Sequence, residues 1–522
     1  MGVYLYYDVK GIQSFIFKIP KLKFIVGGSA LIDQFDKETI PNIVDKETIP
    51  NQAIDGVDKL LFTGGGRGAF FCDSIKSAKN LKQQIKKRAK EIGLDISFGL
   101  DEKFSSALQM TDEFYPFVPD LPENGEPCPE SGLYPVDMEK LKTSKKTCHE
   151  VIEHRMFKSG EKTFRRFEET LLKKLPEIKN PNGSVEFFHN VNPDDVPDGN
   201  AGARALGGRN RWAIICMDGN DMGHQFRTFL DRSPSQEDAV KGIQEMSQTV
   251  NKITENATIR GIRHVVGQWA RNEGKEDVCK RGKITLPIRP LLVGGDDIVV
   301  LCRCNYATAF VKEVAQVFEE ESRKNKKLWP ATANGLTISA GILFTSVTLP
   351  LHTAIPYAEA LLKNAKALGR KKANPGHAPP ACIDWEQVTE SVIDTPNAKR
   401  QRELVFFDEE IGQCIQLTKR PYTMEDFNKL ETTAATFKGD GGLPRTIRHQ
   451  ILPALQQGLE ERLAFAAQVK KNHPGLFDHL NELVLEKSAW KEDFENKSRT
   501  NWLPDALLLI EEEDRMREES DQ

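Results

Sequence analysis

Two adjacent aspartates, Asp296 and Asp297, follow a pair of glycines between two short apolar runs. Residues 289–301 read Arg-Pro-Leu-Leu-Val-Gly-Gly-Asp-Asp-Ile-Val-Val-Leu. Glycine tolerates the positive φ angles of a tight turn, and the apolar runs suit buried strands, so the segment predicts a β-hairpin turning at Gly294 and Gly295. Like charges held side by side need a neutralising cation, usually a divalent metal with oxygen ligands. The pair therefore indicates metal-dependent phosphate chemistry, although an ordinary surface turn also favours Gly and Asp.

A further carboxylate, Asp218, follows the apolar run 213–217. It lies where a predicted central strand ends, and a palm sheet would bring the hairpin carboxylates beside it. Such a group around one or two Mg²⁺ ions suits phosphoryl transfer, because metals orient the attacking hydroxyl and neutralise the phosphates and the leaving group. Side chains alternate along a strand, so the pattern leaves open which of Asp296 and Asp297 faces the metal.

Basic residues form the second cluster that suits phosphate chemistry. Lys363, Lys366 and Arg370 are spaced three and four residues apart in a segment predicted to be helical over residues 355–368. This spacing places them on one helix face, where they would hold a triphosphate. A solvated basic helix end, favoured by the helix dipole, is the alternative.

Two segments of the chain share one order of elements, namely strand, helices, glycine hairpin, helix and strand. In the first segment we predict the first strand at residues 3–7, the hairpin at 60–72, the second helix at 75–92 and the last strand at 96–100. In the second segment the corresponding ranges are 212–217 for the first strand, 289–301 for the hairpin, 307–323 for the second helix and 336–344 for the last strand. A capping box at residues 233–236 indicates the start of the first helix. This is the order of a ferredoxin-like palm, a sheet with helices on one face. The sequence thus predicts an α+β fold with two palms.

The length of 522 residues leaves room for roughly three or four domains. The patterns divide the chain into a first palm at 1–110, a loop-rich insert at 111–205, a second palm at 206–385 and a helical region at 386–522. Within the first palm, the heptapeptide Asp-Lys-Glu-Thr-Ile-Pro-Asn occurs twice, from Asp36 and from Asp45. Two copies are too few for a solenoid, so a tolerated surface insertion is predicted.

Composition indicates a globular protein of the cytoplasm. The formal net charge of -4 gives no global argument for nucleic-acid binding, and an odd number of irregularly spaced cysteines, nine, fits reduced thiols. We find neither a signal-peptide layout nor an apolar stretch near the roughly 18 residues of a membrane span. Residues 79–90 and 323–327 are basic, but sparse aromatic interleaving favours solvated helix faces over RNA contacts.

Several motifs together resemble one family. The segments 217–223, 293–298, 337–341 and 365–370 read Met-Asp-Gly-Asn-Asp-Met-Gly, Val-Gly-Gly-Asp-Asp-Ile, Thr-Ile-Ser-Ala-Gly and Ala-Lys-Ala-Leu-Gly-Arg. They are similar to the second palm of the large subunit of type III CRISPR effector complexes, a relative of the GGDEF nucleotide cyclases. Residues 7–16, and the glycines at 64–66, resemble the first, degenerate palm of the same subunit.

The resemblance implies an enzyme that joins ATP into cyclic oligoadenylates, the second messengers of an antiviral defence. It implies that Asp218, Asp296 and Asp297 hold Mg²⁺ or Mn²⁺. The residues implied to contact ATP are Gly219, Gly294 and Gly295, Lys366 with Arg370 on the triphosphate, and Gly64, Gly65 and Gly66 in the first palm. Because Gly66-Arg67 stands where the second palm has carboxylates, the first palm is expected to bind an acceptor ATP without activating it.

The sequence also departs from the family. Many members begin with a metal-dependent HD nuclease domain, whereas this sequence opens directly on the first palm, so the resemblance gives no reason to expect DNA cleavage. The insert of the family often binds zinc through paired cysteines. Here Cys128 keeps one member of a pair, and Cys148, His149 and His154 complete a four-ligand set of irregular spacing, which argues against zinc.

Two other functions fit the same motifs. A dinucleotide cyclase using GTP would share the palm, but GGDEF enzymes usually have Glu-Phe where this chain has Asp297-Ile298. A non-catalytic scaffold could bind nucleotide, RNA or other subunits of a guide-RNA effector complex, yet a scaffold does not need an acidic cluster. The sequence does not determine ring size, base identity, oligomeric state or whether the protein acts within such a complex.

Overall fold

The computed structural model describes residues 2–16, 22–44, 57–109, 113–116, 126–127, 135–136, 184–187, 211–272, 283–329, 331–332, 334–388, 394–409, 412–437, 443–457, 459–472, 474, 490–493 and 498–517. The candidate zinc ligands Cys128, Cys148, His149 and His154 lie outside these residues, as does the second copy of the heptapeptide. No helix in the described ranges is both long and apolar enough to cross a membrane.

The N-terminal part of the chain builds a five-stranded sheet with the order β2-β3-β1-β4-β5. Its strands are β1 (Val3–Lys10), β2 (Val57–Gly64), β3 (Arg67–Cys72), β4 (Asp95–Asp101) and β5 (Glu113–Tyr115). Its helices are α1 (Ile12–Ile16), α2 (Leu22–Gln34), α3 (Ile40–Val44), α4 (Ile75–Ile92) and α5 (Phe104–Gln109), with a π-helical turn at Phe35–Thr39.

Helix α4 shows why these residues fold as they do. Its buried residues, Ala78, Leu81, Ile85 and Ala89, recur every three or four positions and form one apolar stripe. The stripe packs on the face of β1 that carries Leu5 and Tyr7. Residues of opposite parity on β1, including Asp8, therefore point to the other face of the sheet.

Short strands follow in the insert and before the second hairpin. These are β6 (Glu126–Pro127), paired with β7 (Pro135–Val136), and β8 (Ser184–Phe187), paired with β10 (Lys283–Leu286). The second palm is a six-stranded sheet with the order β11-β12-β9-β13-β14-β17. Its elements are β9 (Arg211–Gly219), α6 (Met222–Arg232), α7 (Gln236–Asn272), β11 (Ile288–Gly294), β12 (Asp297–Cys302), α8 (Ala307–Lys324), β13 (Ile338–Ser346), α9 (Leu351–Lys371) and β14 (Cys382–Val388).

The second sheet is covered on both faces. Helices α7 and α8 pack on the face that carries Ile215 and Met217, while α9 packs on the face of Ile214 and Cys216. Gly341 on β13 brings α9 close, because a side chain there would collide with the backbone of that helix. Asp218 has the parity of Cys216, so it lies on the face covered by α9.

The C-terminal region contains both helices and strands. Its elements are α10 (Pro396–Leu404), β15 (Val405–Asp408), β16 (Gln413–Gln416), β17 (Tyr422–Thr423), α11 (Met424–Thr436), α12 (Arg445–Gln456), α13 (Leu459–Asn472), β18 (Trp490–Asp493), β19 (Ser498–Asn501) and α14 (Leu503–Arg517). Four strands form a separate sheet with the order β15-β16-β19-β18, whereas β17 joins the sheet of the second palm. Arg400 donates to both Asp384 and Glu386 of β14, and this buried ion pairing holds α10 against the palm.

The predicted α+β fold with two palms is confirmed. In each palm the hairpin lies at one side, the first strand is central and the last palm strand flanks it, giving β2-β3-β1-β4 and β11-β12-β9-β13. Two local predictions are wrong. Ser235, rather than Ser233, accepts from the backbone N–H of Asp238 at 3.1 Å and caps α7, because α6 extends to Arg232. The first heptapeptide copy is no surface insertion, since Asp36 and Ile40 are buried.

Candidate active site

The hairpin between β11 and β12 carries the two predicted aspartates. Gly294 pairs with Asp297 across the hairpin, which leaves Gly295 and Asp296 as the two turn residues. Gly295 has a φ of +61°, the left-handed conformation that type I′ and II′ hairpin turns require at this position. Asp297 therefore belongs to a strand, while Asp296 sits at the tip.

Asp218 reaches the hairpin from the neighbouring strand β9. Ile298 pairs with Met217, and one step further along this antiparallel register Asp297 faces Asp218. Directly opposed residues of an antiparallel pair project to the same face of the sheet. The structure thus brings Asp218 and Asp297 together on the face covered by α9.

Asp296 approaches the same place from the turn. A β-carbon on Gly219 would lie 2.9 Å from the Oδ2 atom of Asp296, so only glycine at position 219 permits this close approach. Asp296 also shares a hydrogen bond with the carboxylate of Asp218. The expected role of Gly219 was contact with ATP, and the structure adds this second reason for a glycine.

Lys366 of α9 lies against the carboxylates. Its ammonium forms an ion pair with Asp218 and donates to the backbone carbonyl of Gly219 at 2.7 Å. Arg370 is exposed one turn further along α9, and Lys363 is exposed one turn before Lys366. Of the three basic residues on this helix face, Lys366 is the one that the structure places at Asp218.

Burial and neighbouring negative charges raise the pKa of both hairpin aspartates. Burial raises the pKa of Asp297 to about 7, the charges of Asp218 and Glu359 add to the rise, and Lys366 and Arg67 oppose it. Burial also raises the pKa of Asp296 well above its ordinary value, and Asp218 and Asp297 raise it further. The negative charge collected here exceeds what Lys366 neutralises.

This donor set fits a hard divalent cation. Carboxylate oxygens are the ligands that Mg²⁺ and Mn²⁺ prefer, and a bound cation would relieve the repulsion that raises the two pKa values. Within the described ranges, no group of three or more His, Cys, Asp or Glu side chains is arranged as a ready-made metal site. Lys366 instead supplies the positive charge at Asp218.

The hairpin of the first palm has the same strand pairing around its turn and a different charge. Gly64 pairs with Arg67 across it, and Gly65 has a φ of +63°, close to that of Gly295. Gly66 and Arg67 therefore occupy the positions that Asp296 and Asp297 hold in the second palm. The register also places Asp8 opposite Arg67, so Asp8 corresponds to Asp218.

Cations neutralise the carboxylate of Asp8. The Nε atom of Arg67 lies 3.1 Å from Oδ1 of Asp8, and the ammonium of Lys10 pairs with Oδ2. The influence of Arg67 extends to the other palm. Burial lowers the pKa of Arg67, but Tyr6, Asp8 and Asp296 together raise it above its ordinary value.

Asp36 is a buried acid that sequence reasoning placed at the surface. Its carboxylate accepts from the backbone N–H of Gly66 at 2.6 Å and from the hydroxyl of Tyr7 at 2.9 Å. Burial raises its pKa to about 6. In the second palm, the side-chain carbonyl of Asn251 accepts from the N–H of Gly295 at 3.2 Å. The DKETIPN repeat drew attention to Asp36, but nothing local in the sequence shows that it would reach Gly66.

Comparison with known proteins agrees with this geometry. Residues 211–374 match the family model described as Cas10/Cmr2, second palm domain. The chain is a Cas10-like palm-domain protein. The matched residues contain Asp218, both hairpin aspartates, Lys366 and Arg370, and they end before β14. No curated protein matches the sequence of this Cas10-like chain.

Solved structures of similar fold extend the likeness beyond the second palm. The Csm1-Csm4 subcomplex of the type III-A CRISPR-Csm interference complex is 14% identical, with a TM-score of 0.51, covering 98% of this chain and 69% of that one. Csm1 of T. onnurineus is 15% identical with the same TM-score and the same coverage. A Csm1-Csm4 cassette with one ATP is 14% identical, with a TM-score of 0.51 and coverage of 98% and 70%. These likenesses establish the fold.

Proposed function

We propose that this Cas10-like protein condenses ATP into cyclic oligoadenylate. The observation that carries the proposal is the convergence of Asp218, Asp296 and Asp297 from two strands and a turn, beside Lys366, in a Cas10/Cmr2 second palm. Similar structures support the choice of nucleotide, because Csm1-Csm4 cassettes of this fold were solved with one ATP and with cA3. We also propose the four-domain division at residues 110, 205 and 385, and a cytoplasmic location.

The three aspartates would hold Mg²⁺ or Mn²⁺, and the cation would orient the attacking hydroxyl and neutralise charge on the phosphates. Asp218 and Asp297 share one face of the sheet, and Asp296 closes the group from the turn. Lys366 uses two of its three N–H donors on Asp218 and Gly219, so the third would be available to the triphosphate. Arg370, one turn along α9, would hold the far end of the triphosphate, where its planar fork suits phosphate oxygens.

Bond formation follows from two nucleotides held on opposite sides. The 3′-hydroxyl of an acceptor ATP at the first palm attacks the α-phosphate of the donor ATP at the second, the bond to the β-phosphate breaks, and pyrophosphate leaves. The hydroxyl proton passes to solvent or to a carboxylate of the group. Repetition, followed by attack of the last 3′-hydroxyl on the first α-phosphate, closes the ring.

The glycines let nucleotide approach the hairpins. Gly294, Gly295 and Gly65 lack any atom within 4 Å of where a β-carbon would stand, so the space beside these backbones is open within the described parts of the chain. A phosphate or ribose contacting backbone N–H groups needs such access. Partners of the protein would be ATP and subunits of a guide-RNA effector complex, with RNA itself entering through that complex.

The decisive experiment supplies the purified chain with α-labelled ATP and Mg²⁺ or Mn²⁺. We expect a product without free ends, resistant to phosphatase and identified by mass spectrometry. Asp296→Ala combined with Asp297→Ala should lower turnover by on the order of a thousandfold, because metal ligation contributes several kcal/mol to transition-state stabilisation. Unchanged turnover in this variant would contradict the metal assignment.

A matched control is available on α13, where Glu460 and Glu461 are also adjacent acids but are exposed. Replacing both with alanine should leave turnover unchanged. A nucleotide panel tests the alternative enzyme, since a preference for GTP would indicate a dinucleotide cyclase. Binding of ATP without turnover, even with partner subunits and target RNA, would indicate a scaffold.

A further inference from the structure

Arg67 lies at a position of the first hairpin where the loss of metal binding alone would not require an arginine. It stands where the second palm has Asp297, directly opposite Asp8, which is the counterpart of Asp218. A neutral residue would be enough to abolish metal ligation there. The chain instead places a guanidinium at the point where the other palm collects negative charge.

The guanidinium is anchored and accessible at once. Its Nε atom lies 3.1 Å from Oδ1 of Asp8, whose side chain is only 12% exposed, while the Arg67 side chain is 64% exposed. An arginine has five N–H donors in a planar fork, so the bond to Asp8 fixes one edge and leaves the outer edge available to phosphate oxygens. Because the Arg67 side chain is already held by Asp8, it loses less conformational entropy when it binds a phosphate.

Asp8 is neutralised by side chains rather than left to attract a cation from solution. Lys10 pairs with its second oxygen, so both oxygens of the carboxylate have a basic partner. The positive charge of Arg67 also interacts with the negative charge of Asp296 in the second hairpin. A nucleotide between the two hairpins would therefore meet Arg67 from one side and the carboxylate group from the other.

We propose that Arg67 is a phosphate-binding residue that acts at the first palm in place of a divalent cation. Its guanidinium, anchored on Asp8, receives the phosphates of the acceptor nucleotide without metal. The inference rests on the proposed function for the meaning of acceptor, and it adds the residue and the chemistry that hold this nucleotide. Arginine suits the task because its bidentate hydrogen bonds to phosphate are charge-assisted and need no further ion.

The test measures binding of a non-hydrolysable ATP analogue to the full chain by calorimetry in the presence of EDTA. Wild-type protein should bind the analogue without metal. Arg67→Ala should weaken this binding about ten- to hundredfold, the range for a lost hydrogen bond to a charged group. Arg67→Lys should fall between the two, because it keeps the charge and loses the fork. Arg88→Ala, on α4 of the same palm, is the matched control and should bind as wild type does.

Adenosine, which has no phosphate, separates a direct role from a structural one. Its affinity should be the same for wild type and Arg67→Ala, and an equal loss for both ligands would overturn the proposal. Unchanged binding of the ATP analogue by Arg67→Ala, or no metal-free binding by wild type, would also overturn it. If Arg67→Ala does not fold, Arg67→Lys carries the same comparison.

The outcome is independent of turnover. Asp296→Ala combined with Asp297→Ala should keep the metal-free binding, since those residues belong to the other palm. Suppose that wild-type protein makes no cyclic product, while Arg67→Ala still abolishes the metal-free binding of the ATP analogue. The first result would contradict the proposed function, and the second would still support phosphate binding by Arg67.

Discussion

The two palms have one backbone plan and opposite charge at the same point. Both hairpins turn at a glycine with a φ near +60°, Gly65 at +63° and Gly295 at +61°. The residue that closes the turn is Arg67 in one and Asp297 in the other. The strand pairing is shared, whereas the turns differ at their second residue, where Gly66 has a φ of +77° and Asp296 does not have a positive φ. A palm pair can thus assign different tasks to its halves without altering either fold.

The strongest test of this difference between the palms is to give the second hairpin the positive charge of the first. Asp297→Arg should place a guanidinium opposite Asp218, where it would form the ion pair seen between Arg67 and Asp8. We expect turnover of ATP to fall on the order of a thousandfold, because the carboxylate group can no longer hold a divalent cation. Production of labelled cyclic oligonucleotide is the measurement, and activity within tenfold of wild type would refute the comparison.

The basic face of α9 tests whether position or mere charge matters. Lys366 contacts Asp218 and Gly219, whereas Lys363, one turn away, is exposed. Lys366→Gln should weaken binding of an ATP analogue with Mg²⁺ by roughly a hundredfold, as expected for a charged hydrogen-bonding group in contact with phosphate. Lys363→Gln should change it by less than about threefold, because exposed charges are screened. Equal effects would show that the helix acts only through its net charge.

The smallest expected effect concerns how each hairpin is supported. Asp36 holds an N–H of the first hairpin and can ionise, while Asn251 holds an N–H of the second and cannot. Burial raises the pKa of Asp36 from 3.8 to about 6, so the folded protein retains a proton that the unfolded chain loses. Stability therefore falls as pH rises from about 4 to about 6, and the loss is constant above that range.

Asp36→Asn removes this ionisation. Its stability relative to wild type should rise across the same pH window by at most about 3 kcal/mol, because one pKa unit corresponds to about 1.36 kcal/mol. Calorimetric melting temperatures of both proteins between pH 4 and pH 8 provide the measurement. Asn251→Asp is the converse variant: position 251 is exposed, so burial would not raise the pKa of the new carboxyl group, and this variant should not lose stability between pH 4 and pH 6 relative to wild type. A difference between wild type and Asp36→Asn that is flat from pH 4 to 7 would mean that Asp36 is not protonated in the fold.

The sequence by itself determined the palm plan. Alternating apolar runs, two glycine turns and an amphipathic α4 predicted both hairpins, the strands beside them and the helices α4, α8 and α9, because these signals depend on neighbours within a few residues. The same local signals identified Asp218, Asp296 and Asp297 as candidates, since acids after strands and in a hairpin turn are visible in one dimension. The lysine spacing on α9 likewise defined a helix face, although not which lysine meets the acids.

Only the tertiary structure decided the contacts between distant segments. It selected Lys366 over Lys363 as the partner of Asp218, placed Asp36 under the first hairpin and set Arg67 opposite Asp8. Ser235, rather than Ser233, caps α7 because a preceding helix, α6, extends to Arg232. The physical reason is common to all of these. Burial and charge at a residue depend on which segments the sheets bring together, and the members of these pairs lie from 30 to 148 residues apart in the chain, except at the local cap.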